Sequence, residues 1–293
     1  MKRALVYLKP ESQSYLTIGK RNKLENTLKL QCYSVSYVPS LSLDETLNYL
    51  KKKIERFDLF VIIGGDGTLN VLVNLMQDLE WKGKVLFFND GTIGDAGKRF
   101  GIKKSFNQNL SLFKSGKDEH VLLGKAVVKN QTRYFTYSLA AGVFSDIPWM
   151  TSDSSKKWLG KMSYYLEAVP RVIQEAKYYF TLNTKGQIIS QTSPFIIFLL
   201  GERMGGFRVI KPEDFDENSL LFLYPKTGFW NGLLSFFPFK KSRYYRIKEA
   251  SFAFDNEQLI YTLDGEKWLE GPLNISVVTS SFTLYVKNSA KPR

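Results

Sequence analysis

Ile63-Gly64-Gly65-Asp66-Gly67-Thr68-Leu69-Asn70 is the stretch on which the reading of this chain turns. Just before it, residues 59–63 form an unbroken apolar run, as expected of a strand buried on both faces. Just after it, Leu69, Leu72, Val73 and Met76 fall at helical spacing. The glycines between let the backbone turn sharply and approach a ligand closely. Amides at the start of a helix point outward and favour an anion. Asp66 puts a carboxylate inside that phosphate-attracting loop, which requires a cation between the two and so implies Mg2+. Thr68 can donate its hydroxyl to a phosphate oxygen. As a bare glycine pair the stretch also reads as a plain turn with Asp66 or Thr68 capping the helix. The full Gly-Gly-Asp-Gly-Thr string directly after a strand favours the anion site.

Outward from this turn, the first third of the chain alternates strand and helix. Residues 4–8 and 33–38 read as strands, the second ending at Pro39. Leu43, Leu47, Leu50, Ile54 and Phe57 follow at spacings of 4, 3, 4 and 3, one face of a helix, with Ser42 and Glu45 as a capping box at its start. Residues 85–88 form the next strand. Strand–loop–helix alternation of this kind predicts a parallel, layered α/β sheet. Near Ser115-Gly116-Lys117-Asp118 the pattern changes to short β-type runs: 121–128, 134–139, 178–182, 195–200, 220–224, 252–254, 259–263, 275–278 and 282–286. One helix is expected around 159–176, kinked or divided at Pro170. Regular short strands predict an antiparallel sandwich or barrel-like second domain. The expected fold is therefore α/β plus β, with an α/β nucleotide-type domain over 1–120 and a β-sandwich domain over 121–293, the last strand being free to return to the first domain.

Composition narrows the chemistry. The chain has 293 residues, with 41 Lys and Arg against 28 Asp and Glu, a net charge of +13 that favours an anionic partner. A single cysteine, Cys32, excludes an internal disulfide and a thiolate metal cage, and a single histidine, His120, excludes a two-histidine metal site. A reducing compartment is expected. The longest apolar run, 195–200, has six residues and is far short of a membrane span. The short run at 4–8 after Met1-Lys2-Arg3 is too brief for an export signal. Other phosphate motifs fit worse. Gly97-Lys98 is followed by Arg99, not by the Ser or Thr of a P-loop, and no GxGxxG follows a strand.

Two further turns carry chemistry. Asn89-Asp90-Gly91-Thr92-Ile93-Gly94-Asp95-Ala96-Gly97-Lys98-Arg99 follows a strand at the same edge of the expected sheet. Ligands bind outside the carboxyl ends of such strands, so this loop and 64–68 can face one nucleotide. Alone, it is equally a surface turn with solvated charges. Leu263-Asp264-Gly265-Glu266 sets two carboxylates around a turn glycine. Either could take the proton of an alcohol under phosphorylation; alone, Asp-Gly is a hairpin turn.

Together and in this order, these motifs resemble the lipid kinases of the diacylglycerol kinase catalytic type. The resemblance runs over nearly the whole chain. Gly64-Gly65-Asp66-Gly67-Thr68-Leu69-Asn70 resembles the family's nucleotide loop, a motif shared with NAD kinases and phosphofructokinases, and Gly91-Thr92-Ile93-Gly94-Asp95 its Gly-Thr-x-Asn-Asp stretch. Arg133-Tyr134-Phe135 with Leu139-Ala140-Ala141-Gly142, then Gly205-Gly206-Phe207 leading to Pro212, and finally Asp264-Gly265-Glu266 resemble its second-domain motifs. The resemblance implies an active cleft between the two domains and ATP with Mg2+ as cofactors. Asp66, with Gly67 and Thr68, would serve the phosphates and the metal. Gly64, Gly65, Asn70, Gly91 and Thr92 would line the nucleotide, and Asp95 would hold the charge network. Asp66, Asp264 and Glu266 would form the catalytic set, with the base either Asp264 or Glu266. Three departures stand out: Lys9-Pro10-Glu11-Ser12-Gln13 in place of Asn-Pro-x-Ser/Ala-Gly, Gly94 in place of Asn, and Glu217-Asn218-Ser219 in place of Asp-Asp-Gly. The last puts a structural Mg2+ site in doubt.

The partner implied is a lipid alcohol, diacylglycerol or a relative, taken from an anionic membrane surface. Phe229, Trp230, Phe236 and Phe237, followed by Lys240, Lys241, Arg243, Arg246 and Lys248, suit docking at the headgroup boundary. The same stretch also reads as a core segment followed by a solvated charge run. A cytoplasmic protein peripheral to the inner face of the membrane is expected. No nucleic-acid module is recognisable, and a homodimer is left open. Two other readings remain: a catalytically weakened nucleotide- or lipid-binding protein on the same scaffold, and an NAD kinase.

Overall fold

Apolar runs of five or six residues cannot leave both faces in water, and the first part of the chain solves this by layering. Its elements are β1 (Lys2–Leu8), α1 (Ile18–Leu30), β2 (Tyr33–Tyr37), α2 (Leu43–Lys53), β3 (Leu59–Gly64), α3 (Asp66–Asp78), β4 (Lys84–Asn89), α4 (Asp95–Arg99) and α5 (Phe106–Ser115). The computed structural model describes residues 1–142, 178–204, 206–210, 216, 218–225, 242–255 and 259–287. The chain divides into two compact units: Met1–Val121 with the residues from Thr279 onward, and Leu122–Val278.

In the first unit the strands run parallel in the order β2-β1-β3-β4. All six residues of β3 are buried. Alternate residues, among them Val61, Ile63, Leu86 and Phe88, pack with Leu24 and Leu28 of α1 and Leu110 and Phe113 of α5. The residues between them, such as Phe60, Ile62 and Phe87, are fully buried on the opposite face, where Trp81 meets Phe60 edge-on at 6.4 Å. Ser42 and Glu45 form the capping box at the start of α2. The helix stops at Lys53 and passes into a single 3-10 turn, Ile54–Arg56. Leu43, expected on the buried face, is 54% exposed, because Thr46 takes the inward position beside Leu50.

The second unit is antiparallel. Its elements are β5 (Lys117–Val128), β6 (Gln131–Phe135), β7 (Ser138–Gly142), β8 (Tyr178–Thr184), β9 (Gln187–Ser193), β10 (Phe195–Leu199), the short ribbon of β11 (Arg203–Met204) and β12 (Phe207–Arg208), β13 (Leu220–Pro225), β14 (Ser242–Ile247), β15 (Glu249–Phe254), β16 (Ile260–Leu263), β17 (Glu266–Glu270) and β18 (Leu273–Val286). One sheet runs β14-β13-β10-β7-β16-β17. The other carries β15, β8 and β9 beside the start of β18. The two faces meet through aromatic rings: Phe180 against Phe222 at 5.7 Å, and Phe252 against Phe198 at 5.7 Å. These four rings sit in one apolar cluster, and Phe180, Phe198 and Phe222 are fully buried.

Two expectations about strands are corrected. The run at 134–139 is not one strand, because it breaks between β6 and β7 where Thr136, Tyr137 and Ser138 turn their amides to Asp264. The runs at 275–278 and 282–286 belong to a single strand, β18. The polar residues between them do not interrupt it, since the Ser280 hydroxyl donates to the Phe282 carbonyl and accepts from the Val121 amide. The helix expected around 159–176 lies outside the described residues. The end of β18 returns to the first unit, where Thr283 and Leu284 lie parallel to Lys84 and Val85.

Truncating Phe180 to Ala should cost about 3–5 kcal/mol, whereas Ser42→Ala should cost only about 1 kcal/mol. Urea denaturation checks both. Equal losses would mean that the aromatic cluster does not hold the second unit together.

Candidate active site

The strand order of the first unit already marks where a ligand can sit. The chain leaves β1 for β2 on one side and later places β3 on the other, so the crossovers diverge beyond the carboxyl ends of β1 and β3. Main-chain hydrogen bonds tie those ends together. The Lys9 amide donates to the Ile63 carbonyl at 3.0 Å, and the Asp90 amide donates to the Gly64 carbonyl at 2.9 Å.

Here the two glycine-rich loops meet. Gly65 is the N-cap of α3, whose first turn is Asp66, Gly67 and Thr68. Helix geometry leaves the amides of that turn without intrahelical partners, aimed out of the strand end. Gly65 and Gly91 face each other backbone to backbone. A Cβ on Gly91 would stand 2.9 Å from the Gly65 Cα and 3.4 Å from the Asp66 nitrogen, so no side chain fits. A Cβ on Gly64 would meet the Thr68 hydroxyl at 2.7 Å, which places Thr68 over Gly64. Asp66 Oδ2 accepts the Asp95 amide at 2.9 Å, joining the loops a second time. Asp95 is buried, and its carboxylate takes the Lys98 ammonium at 3.0 Å. Lys98 also donates to the Ile93 carbonyl at 2.7 Å, and Lys104 to the Thr92 carbonyl at 2.8 Å. Asn89, at the end of β4, accepts the Gly91 amide on Oδ1 at 3.0 Å.

Gly64, Gly65, Asp66, Gly67 and Thr68 are thus brought together with Gly91 and Asp95, and Thr92 lies exposed at the rim. Asn70 is fully buried within α3, and its carbonyl accepts from Asn74. Sequence reading missed Asn89 and Lys104. A lysine seven residues beyond Asp-Ala-Gly leaves no periodic trace, and an asparagine at a strand end reads as a turn residue.

Asp264 and Glu266 lie in the second unit, in the hairpin joining β16 to β17. Asp264 and Gly265 both have positive φ, +49° and +90°, as a two-residue hairpin turn of the primed type requires. The Asp264 side chain is 4% exposed and accepts from Thr136, Tyr137 and Ser138. Oδ2 accepts from the Thr136 amide at 2.6 Å and its hydroxyl at 2.7 Å, and Oδ1 accepts from the Tyr137 and Ser138 amides at 2.9 Å each. Those donors occupy the carboxylate's acceptor positions. Glu266 opens β17, half-buried, paired in register with Leu263.

Among the residues expected at a membrane, Phe229, Trp230, Phe236, Phe237, Lys240 and Lys241 lie outside the described residues, as do Gly205, Pro212 and Glu217. Arg243 and Arg246 stand exposed on β14. His120 donates Nδ1–H to the Ser280 carbonyl at 2.8 Å within the first unit.

Gly91→Ala should remove nucleotide-dependent thermal stabilisation while leaving far-UV circular dichroism unchanged. Gly19→Ala, with nothing within 4 Å of the added carbon, should be neutral or raise stability by up to about 1 kcal/mol. Wild-type stabilisation in Gly91→Ala would show that the loop contact is dispensable.

The comparisons agree with this architecture. Residues 3–126 match the family profile described as the diacylglycerol kinase catalytic domain. A diacylglycerol kinase of Staphylococcus carnosus is 25% identical over 180 residues, a match spanning 61% of this chain and 57% of that relative. A crystal structure of a diacylglycerol kinase from Bacillus anthracis superposes with a TM-score of 0.71 at 15% identity, covering 98% of this chain and 97% of that one. Yeast NADH kinase complexed with NADH shares the fold more distantly, with a TM-score of 0.57 at 13% identity, covering 99% and 84%. The profile match takes in both glycine-rich loops and the parallel sheet up to β4, so residues 3–126 are similar to the diacylglycerol kinase catalytic domain.

Proposed function

We propose that the protein is an ATP- and Mg2+-dependent lipid kinase that phosphorylates the free hydroxyl of diacylglycerol, giving phosphatidic acid. The observation that carries this reading is the locked pair of loops: an acidic residue at the N-terminus of a 13-residue helix, held to a second glycine loop by a 2.9 Å hydrogen bond. Helix amides favour the phosphate chain, and the carboxylate among them calls for a cation. No cluster of three His, Cys, Asp or Glu side chains suited to a metal occurs among the described residues. That fits Mg2+, which is commonly held by one or two carboxylates together with substrate phosphates. Asp66 would hold it, and its chemistry there is to neutralise phosphate charge.

In the proposed reaction the lipid hydroxyl oxygen attacks the γ-phosphorus of ATP, the bond to ADP breaks, and the hydroxyl proton passes to a carboxylate. Glu266 fits that role better than Asp264. Donors from Thr136, Tyr137 and Ser138 already engage Asp264, so accepting a proton there would cost those bonds. Asp264 acts instead as a positioning residue that shapes the hairpin carrying Glu266. The lipid is taken from an anionic membrane surface at the inner face, drawn by the chain's net charge of +13. No helix among the described residues is long and apolar enough to cross a membrane.

Incubation of the protein with labelled ATP, Mg2+ and vesicles containing diacylglycerol should give labelled phosphatidic acid. Glu266→Gln should lower kcat by about 10²–10⁴ with little change in ATP binding. Asp264→Ala should instead lower stability by at least about 3 kcal/mol, because buried amides lose a charged acceptor. The proposal fails if no diacylglycerol, sphingoid or polyprenol acceptor is phosphorylated while NAD is. The assignment of the base fails if Glu266→Gln keeps full turnover.

A further inference from the structure

The edge of a sheet can take on a further strand, and native edges are ordinarily guarded by charge, by proline or by a covering element. Other edge strands of the second unit carry such guards. β14 has Arg243 and Arg246, β17 has Glu266, Lys267 and Glu270, and β6 has Arg133. β2, at the edge of the first unit, has no charge of its own, but Arg21 of α1 lies 4.2 Å over its Tyr37 ring. β9 differs from all of these. It reads Gln-Ile-Ile-Ser-Gln-Thr-Ser over Gln187–Ser193, without a charge or a proline, in a chain of net charge +13. Its neighbour β8 is uncharged as well. One side of β9 pairs with β8, and among the described residues the other side ends the sheet. Gln187 and Gln191 are exposed, and Ile188 is 68% exposed. Ile189 faces inward and packs on the aromatic cluster. Ser190 faces outward, its hydroxyl 3.2 Å from that of Thr181 on β8. Strand alternation puts Ile188 and Thr192 on the same outer face, with Tyr179 of β8, itself 45% exposed, paired to Thr192.

We propose that β9 is a self-association surface: two copies of the chain pair their β9 strands antiparallel about Ser190, so that two sheets continue as one. Charge selects this occupant. An anionic partner, which the net charge favours elsewhere, finds no cation on β8 or β9 to meet. A second copy of the same neutral strand brings no like charge against its own, although the two chains are both strongly basic. A two-fold axis also makes the contact its own complement. With the axis at Ser190, all seven residues of the strand find a partner. Ser190 meets Ser190 of the partner subunit, and Ile188 meets Thr192 of the partner subunit. One strand further lies Tyr179 of the partner subunit, so the pairing brings the exposed apolar side chains of this face together. Lys185 is the nearest base along the strand. Five residues from the axis, it stands roughly 30 Å from its counterpart at about 3.4 Å per residue, well beyond the screening length of about 8 Å.

The test is sedimentation of the full chain over a range of concentrations. The wild-type protein should be dimeric at about 100 µM, a concentration suited to an interface at the small end of the known range. Ser190→Lys and Ser190→Glu each set like charges face to face across the axis, and each should raise the dissociation constant at least about tenfold. Mixed in equal amounts, the two variants should dimerise again, because lysine then meets glutamate. A substitution that merely damaged the strand would not be rescued by mixing. Ile188→Lys replaces a side chain that is 68% exposed, so it leaves the fold intact and should weaken the dimer as well. If circular dichroism shows that the Ser190 variants do not fold, Ile188→Lys decides the matter. A wild-type protein that stays monomeric overturns the proposal. So does a dimer that survives these substitutions unchanged, which would place the contact elsewhere. Folded Ser190 variants that remain monomeric when mixed overturn the pairing about Ser190.

Discussion

The arrangement of the strand-end loops depends on one close approach, that of the Gly65 and Gly91 backbones. Only because neither residue has a side chain can the turn after β3 and the turn after β4 share one face. Everything else at the strand ends reinforces that contact. The Asp90 amide binds the Gly64 carbonyl, Asp66 reaches across to the Asp95 amide, and Lys98 joins Asp95 to the Ile93 carbonyl. Hydrogen bonds to ionised groups are stronger than neutral ones, so these short polar links hold the two loops together. A rim of polar links of that kind suits an anionic ligand, whose binding gains most from donors fixed in place beforehand.

The same chemical group does two different jobs in this molecule, and its surroundings decide which. Asp66 stands at a helix N-terminus, partly exposed, with one oxygen engaged by the neighbouring loop. Asp264 is buried, and both its oxygens are taken up by the turn between β6 and β7. Glu266, two residues further on, has left the turn and begun a strand. An Asp-x-Glu pair read from sequence therefore separates into a carboxylate that builds the hairpin and one that the hairpin presents.

Much of this was legible in the amino-acid order, because the signals were local. The capping box at Ser42 and Glu45 needs only three residues of spacing, and it stands as written. The apolar run of β3 and the glycines after it fixed a strand, a turn and a helix in sequence. Less was legible where the cause was distant. α1 escaped notice because its apolar residues are split: Leu24 and Leu28 are fully buried, while Ile18 and Leu30 are each 80% exposed. The break at Thr136 cannot be seen without Asp264, 128 positions away. The continuity of β18 through Thr279, Ser280 and Ser281 depends on a Ser280 hydroxyl finding Val121. At the strand ends, the glycines advertised the turn, but the side chain around which the second loop is wound, Asn89, carried no periodic mark.

The return of β18 has a consequence for how the molecule is made. Thr283 and Leu284 complete the edge of the sheet beside Lys84 and Val85, a pairing separated by almost the entire intervening chain. A ribosome delivers the first four parallel strands early, yet the partner that covers β4 emerges only after the whole sandwich has been synthesised. Until then β4 presents an unpaired edge, the kind of surface that invites misassociation in a nascent chain. Long-range pairing of this sort slows folding, so closing the parallel sheet waits on the return of β18, and cutting the chain after the first third would leave an open-edged sheet rather than a free-standing module.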